Sequence, residues 1–210
     1  MALWAAAPAL QKTREKIMFG RGRQNSNSSY VRDINEQRRQ KDRFFAAAPQ
    51  SPLPHEERNG RFAGLAYYPP APAFRVTAEV VPFTQPEIVQ LATSTGEIRP
   101  QVRAAELRFR LGGRDLHLAG FADPLQHHAH ELFVPFRDAT SGRETYGAGR
   151  YLEVEVTQQT DGTYTATLDF NLAYNPYCAY SPNYSCPIPP RENTLPVAIT
   201  AGERSYGEGH

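Results

Sequence analysis

The segment from Asp169 to Asn193 constrains the fold more than any other stretch of the chain. Pro176, Pro182, Pro187, Pro189 and Pro190 each remove a backbone donor and fix φ, so the run cannot form a regular helix or a central strand. Between them stand Tyr174, Tyr177, Tyr180 and Tyr184, with both cysteines of the chain, Cys178 and Cys186. What remains is a long ordered loop held by its own aromatic side chains. Loops of this kind in compact domains are usually functional, which makes the segment the first place to look for a site.

The chain before this loop reads as β-structure. From Arg75 onward the apolar period is two: Val76/Ala78/Val80, then Ile88 to Thr93, then Leu107/Phe109/Leu111 opposite Leu116/Leu118 across Gly112-Gly113, a hairpin signal. A second hairpin pairs Leu152/Val154/Val156 with Tyr164/Ala166/Leu168/Phe170 around Asp161-Gly162, and Leu132 to Phe136 and Leu195 to Ile199 add two short strands. Polar residues between the apolar ones give each strand a wet face, hence an antiparallel sheet. Seven or eight strands without a crossover helix predict a mostly β protein, an antiparallel β-sandwich or a small barrel with long proline-rich loops.

Ser28-Ser29 can cap one N-terminal surface helix over Val31 to Phe45, whose middle is almost wholly charged, and Pro49 and Pro52 forbid its continuation. Pro54, Pro69, Pro70 and Pro72 with Phe62, Leu65, Tyr67 and Tyr68 then read as an extended strap anchored by aromatic rings. The expected organisation is a flexible extension over residues 1–28, one β-rich domain over 29–205 and a short tail over 206–210, with Met18 an alternative start to Met1. No run approaches the ~20 apolar residues of a membrane-spanning helix. The apolar start lacks a charged leader and contains Pro8, so it does not read as a signal peptide, and the cytoplasm is the expected compartment. The net charge of +1 conceals a basic N-terminal third: residues 1–60 carry eleven Lys/Arg against six Asp/Glu. A mixed-sign segment of this kind is usually just solvated, which disfavours nucleic acid as a partner.

Two stretches carry a family resemblance. Phe133 to Tyr151, with Arg137-Asp138-Ala-Thr140-Ser141-Gly142-Arg143-Glu144-Thr-Tyr146-Gly-Ala-Gly149-Arg150, and the loop from Asp169 to Asn193 are similar to the signature of a prokaryotic family of unknown function, domain-of-unknown-function family 1684. The likeness extends from about Arg39, through Lys41 to Phe45, Ser51 to Leu53 and Phe62 to Pro69, to the run Leu195 to Glu203. Leu172 replaces a basic or polar residue of the family pattern, and Ile188 replaces a leucine. The resemblance implies a single compact domain and no particular reaction.

Two groups of residues are site candidates. In the first, Arg137, Asp138, Thr140, Ser141, Glu144, Tyr146 and Arg150 give the 137–150 turn more polar density than a hairpin requires. The rigid fork of arginine suits a carboxylate or phosphate ligand, and a structural ion-pair network is the alternative. Gly147-Ala-Gly149 lacks the helix of a nucleotide fingerprint and reads as a bulge or a close backbone contact. Arg150 is expected to bridge Asp138 and Glu144 to carbonyls of the Asn171 to Cys186 loop. In the second group, Asn171, Tyr174, Asn175, Tyr177, Cys178, Tyr180 and Cys186 either line a pocket or plug the sheet, with each hydroxyl bonded to backbone.

Seven residues separate the cysteines, which is not zinc-knuckle spacing, and no second pair completes a tetrahedral set, so no metal and no cofactor are implied. His127, His128 and His130 read as a solvated loop. The cysteines are read as packed thiols or a disulfide, with nucleophile and metal ligand as lesser readings. The expected function is a pocket for an anionic or polar small molecule. The alternative is an interaction or structural module whose motifs only lock the fold and whose basic helix meets a protein partner.

Overall fold

The structure, a computed structural model, describes residues 22–58, 60–124 and 130–207. Six antiparallel strands form a closed barrel in sequential order: β1 (Arg75–Ala92), β2 (Ile98–Leu111), β3 (Arg114–Ala122), β4 (Glu131–Phe136), β5 (Arg150–Gln158) and β6 (Tyr164–Asp169). Closure follows from the length of β1, which pairs with β6 through Arg75 to Val80 and with β2 from Glu79 onward. The small-barrel alternative thus holds over the sandwich. Ala78, Val80, Leu107, Leu118, Leu132, Val134, Leu152, Val154 and Leu168 alternate with outward-pointing residues and fill the interior. Both expected turns are present, with Gly112 and Gly113 at φ +59° and +80° between β2 and β3.

The strand count differs from the sequence reading at two places. Val76 to Val80 and Ile88 to Thr93 belong almost wholly to one strand, because the register slips between Pro82 and Glu87 and the ladder then resumes. Proline cannot donate to a ladder, and the irregularity leaves Pro86 outside the paired positions, with Pro82 the last before it. The distal halves of β1 and β2 continue as an arm, with Ile88 and Ile98 63% and 62% exposed. Leu195 to Ile199 is not a strand: Pro196 has no N–H, and the Ile199 N–H donates to the Asp138 carboxylate (3.1 Å) instead of a neighbouring strand.

Helix α1 (Gly22–Ala47) starts before the expected cap, so Ser28 and Ser29 lie inside it. Its charged middle is only partly a solvated face. Ile34 and Phe45 are buried, Tyr30 donates to Asp169 (2.8 Å), Arg38 to the Tyr68 carbonyl (2.8 Å), and Lys41 to Glu203. Outward-facing Arg39 and Arg43 both pair with Glu36 (2.7 and 3.1 Å). The proline strap closes over the helix, and Asp42 accepts the Leu65 N–H (3.1 Å). Among the described residues no helix is long and apolar enough to cross a membrane.

Candidate functional site

Arg150 opens β5 opposite Phe136 and is completely buried. Its guanidinium donates to Asp138 Oδ2 (2.9 Å) and to the carbonyls of Ile199 (2.9 Å), Glu203 (3.0 Å) and Ala201. Asp138 Oδ1 accepts from the Thr140 N–H (2.8 Å), the Thr140 hydroxyl (2.6 Å) and the Ile199 N–H. Asp138 and the 199–203 carbonyls are therefore the partners of Arg150. The Asn171 to Cys186 loop gives it none, because the C-terminal segment runs across the mouth of β5 in its place. Glu144 is not a partner either: it is exposed and accepts from the Tyr68 hydroxyl (3.0 Å).

Arg137 and Ser141 serve the same core. Arg137 exchanges backbone bonds with Asn193 and Leu195 (2.9 and 2.8 Å), and Ser141 Oγ accepts the Asp138 N–H (3.1 Å). The buried Asn193 amide donates to the carbonyls of Ala119 (2.9 Å) and Pro135 (2.7 Å). Gly149 has φ +107°, and a β-carbon there would lie 2.6 Å from the Phe136 carbonyl oxygen and 2.7 Å from Pro189 Cγ. Gly149→Ala is accordingly expected to cost about 1–3 kcal/mol from the backbone conformation alone, before the clash, readable as a lower urea midpoint.

The tyrosine loop divides into a plug and a wall. Tyr180 is buried, packs edge-on to Phe45 (centroids 4.8 Å apart) and donates to Glu203. Glu203, also buried, accepts from Lys41 and from the Asn175 N–H (2.8 Å), and the Asn175 amide donates to the Arg204 carbonyl (2.8 Å). Asn171 exchanges two bonds with the backbone of Ala71 (2.7 and 2.8 Å), tying the strap to the loop. The other tyrosines face outward. Tyr174 donates to Glu153 Oε1 (2.6 Å), Tyr177 packs on Tyr184 (5.2 Å), and the Tyr151 hydroxyl donates to the Pro187 carbonyl.

This wall and the outer face of the barrel enclose a cleft of about 1070 Å³. Phe121, Phe133, Tyr151 and Glu153 form its floor, Lys41 and Phe44 of α1 one end, and Arg99 and Gln101 of the arm the other. The loop seals to the arm tip through Ser94 N–H to Cys186 O (2.9 Å), Ile188 N–H to Ala92 O (2.7 Å) and the Ser185 hydroxyl to Thr93 Oγ1 (2.8 Å). Of the sequence-derived candidates, Tyr174, Tyr177 and Cys186 line the cleft. No residue of the 137–150 turn does, although Tyr146 reaches the loop, its hydroxyl 3.7 Å from Cys178 Sγ. Tyr184, one of the four loop rings, also lines the cleft, whereas Arg99, Gln101 and Glu153 were missed. The available signal was the placement of Phe121, Phe133 and Tyr151 on the face that alternation assigns to water.

Lost hydration in the cleft pushes the Glu153 carboxyl up although it still reaches solvent; the Tyr174 hydroxyl partly offsets this and the charge of Glu131 adds to it. Burial likewise raises the Tyr151 and Tyr174 phenols. Arg99 bears electrostatically on Tyr151 and Cys186, and among the described residues its guanidinium has no hydrogen bond or ion pair. Both cysteines are free thiols in partly buried positions. Among the described residues no three His, Cys, Asp or Glu side chains are grouped to hold a metal ion; His127 and His128 lie outside those residues.

No curated protein matches the chain. A solution NMR structure of an uncharacterized protein of Haloarcula marismortui is 42% identical, covers 89% of this chain and 100% of its own, and superposes with a TM-score of 0.68. The profile described as "Protein of unknown function (DUF1684)" matches residues 60–204, which include the buried Arg150 lock and the whole tyrosine loop, and the chain belongs to that family.

Proposed function

We propose that the cleft binds a small molecule carrying an aromatic or otherwise planar portion and an anionic group. The observation that carries this reading is Arg99: its guanidinium lies at one end of an aromatic-lined cleft, without a protein hydrogen bond or ion pair among the described residues. A rigid fork of donors beside ring faces suits a carboxylate or phosphate attached to a planar body. Phe133, Tyr177 and Tyr184, none of them fully buried, offer the stacking surface. The alternative, a purely structural role, is favoured for the 137–150 turn, where Arg150 and its charged partner Asp138 are both buried.

The reading is tested by NMR titration of isotopically labelled protein with a set of aromatic carboxylates. Shifts confined to Gln101, Glu153 and Tyr184 to Cys186 are expected, with Arg99→Ala weakening binding about tenfold, or about 1.4 kcal/mol. No saturable shifts, or shifts scattered over the barrel, would refute it. The affinity also has a signed pH dependence. Glu153, faced by Glu131 from β4, Tyr174 from the loop and Lys41 from α1, gains its charge as pH rises through a range above the usual glutamate value. Carboxylate binding is therefore expected to weaken over that range, and Glu153→Gln to flatten the profile.

A further inference from the structure

The two thiols sit where a purely structural pair has no need to be. Cys186 Sγ accepts the Cys178 N–H (3.4 Å), which brings the two thiols together. The Tyr146 hydroxyl lies 3.7 Å from Cys178 Sγ, and Cys186 opens onto the cleft. The loop between them is folded independently of any S–S bond: Ala179 N–H donates to Pro176 O (2.9 Å), Ser181 N–H to Tyr177 O (3.1 Å), and the Cys186 backbone is bonded to Ser94 on both sides. The entropy of bringing the sulfurs together has thus been met by the fold, which gives each thiol a high effective concentration toward the other.

We infer that Cys178 and Cys186 form a reversible redox site that takes a hydroperoxide as oxidant and closes to an intramolecular disulfide. Contact with Cys186 draws the Cys178 thiol down while the same contact and burial hold Cys186 up, and the Tyr146 hydroxyl, 3.7 Å from Cys178 Sγ, can donate to a thiolate there; on this basis Cys178 is assigned as the attacking sulfur and Cys186 as the resolving one. The Cys178 thiolate attacks the terminal oxygen of the peroxide; the O–O bond breaks and the departing hydroxide or alkoxide takes up a proton. The Cys186 sulfur, losing its proton, then attacks the sulfenic sulfur, forming the S–S bond and releasing water. Two thiols are oxidised and one peroxide is reduced, to two waters for hydrogen peroxide. The step changes the wall of the cleft, since the closed ring contains Tyr184, yet it does not depend on the cleft having a ligand.

The test uses the full chain treated with equimolar hydrogen peroxide and read by intact mass and thiol titration. A monomer lighter by about 2 Da, with both thiols lost and both restored by dithiothreitol, is expected. With Cys186→Ser the reaction stops at a Cys178 sulfenic acid that dimedone traps, and Cys178→Ser reacts at least about tenfold more slowly. Retention of both thiols, disulfide-linked dimers, or oxygen added to one cysteine without loss of the other in the wild-type chain would overturn the proposal. Equal dimedone labelling of the two variants would overturn the assigned order of attack.

Discussion

Arg150→Lys is expected to destabilise the protein by about 3 kcal/mol, whereas Arg143→Lys changes stability by no more than about 0.5 kcal/mol. The difference comes from burial and geometry. Arg150 is completely buried, and its fork reaches Asp138 and three backbone carbonyls at once. A lysine ammonium is a point charge on a different stem and can satisfy only some of these acceptors, leaving buried carbonyls unpaired or the Asp138 carboxylate without its countercharge. Arg143 lies exposed at the turn tip. Thermal denaturation checks the pair: the Arg150 variant should melt about 10 °C lower at this chain length, and the Arg143 variant near wild type. Equal melting temperatures would show that the lock does not organise the domain.

The second large effect is expected at Phe170, just beyond β6. Its ring is fully buried, packed edge-on to Phe136 (5.4 Å) and tilted against Phe109 (5.8 Å), where it closes the end of the barrel. Phe170→Ala removes that contact area and leaves a cavity that the surrounding strands cannot collapse, at a cost of about 4 kcal/mol. Phe170→Leu keeps most of the volume and is expected to lose less than about 1.5 kcal/mol. Urea denaturation distinguishes them through the midpoint at unchanged slope. A small loss in the alanine variant would mean that the ring is not part of the core. This residue belongs both to the tyrosine loop and to the barrel interior, so the same experiment bears on how firmly the loop is anchored.

Much of the fold was legible because it rests on short-range chemistry. Gly112-Gly113 supplies the positive φ that a tight hairpin demands, and the period-two runs around it could occupy only a half-buried strand. The prolines of the 176–190 run excluded an α-helix or a central strand there whatever the tertiary context, leaving only the single 3-10 turn Tyr177–Ala179. Arg150 was legible as a multivalent internal anchor from its place after Gly149, though not the identity of the carbonyls it holds.

Only the tertiary structure decided the rest, because those features depend on residues far apart in sequence. Local periodicity could not show that one strand runs on past Pro82 and Pro86, nor that the Ile199 N–H would find Asp138 in place of a strand neighbour. Lys41 and Arg38 carry no local mark separating them from Arg39 and Arg43, yet the first two turn inward to Glu203 and the Tyr68 carbonyl while the others stay in solvent. Arg99 and Glu153 alternate along their strands as ordinary solvent-facing residues. They become parts of one cleft only because the tyrosine loop crosses from β6 to the tip of the arm and roofs the outer face of the barrel, a placement set by long-range packing rather than by any residue's own propensity.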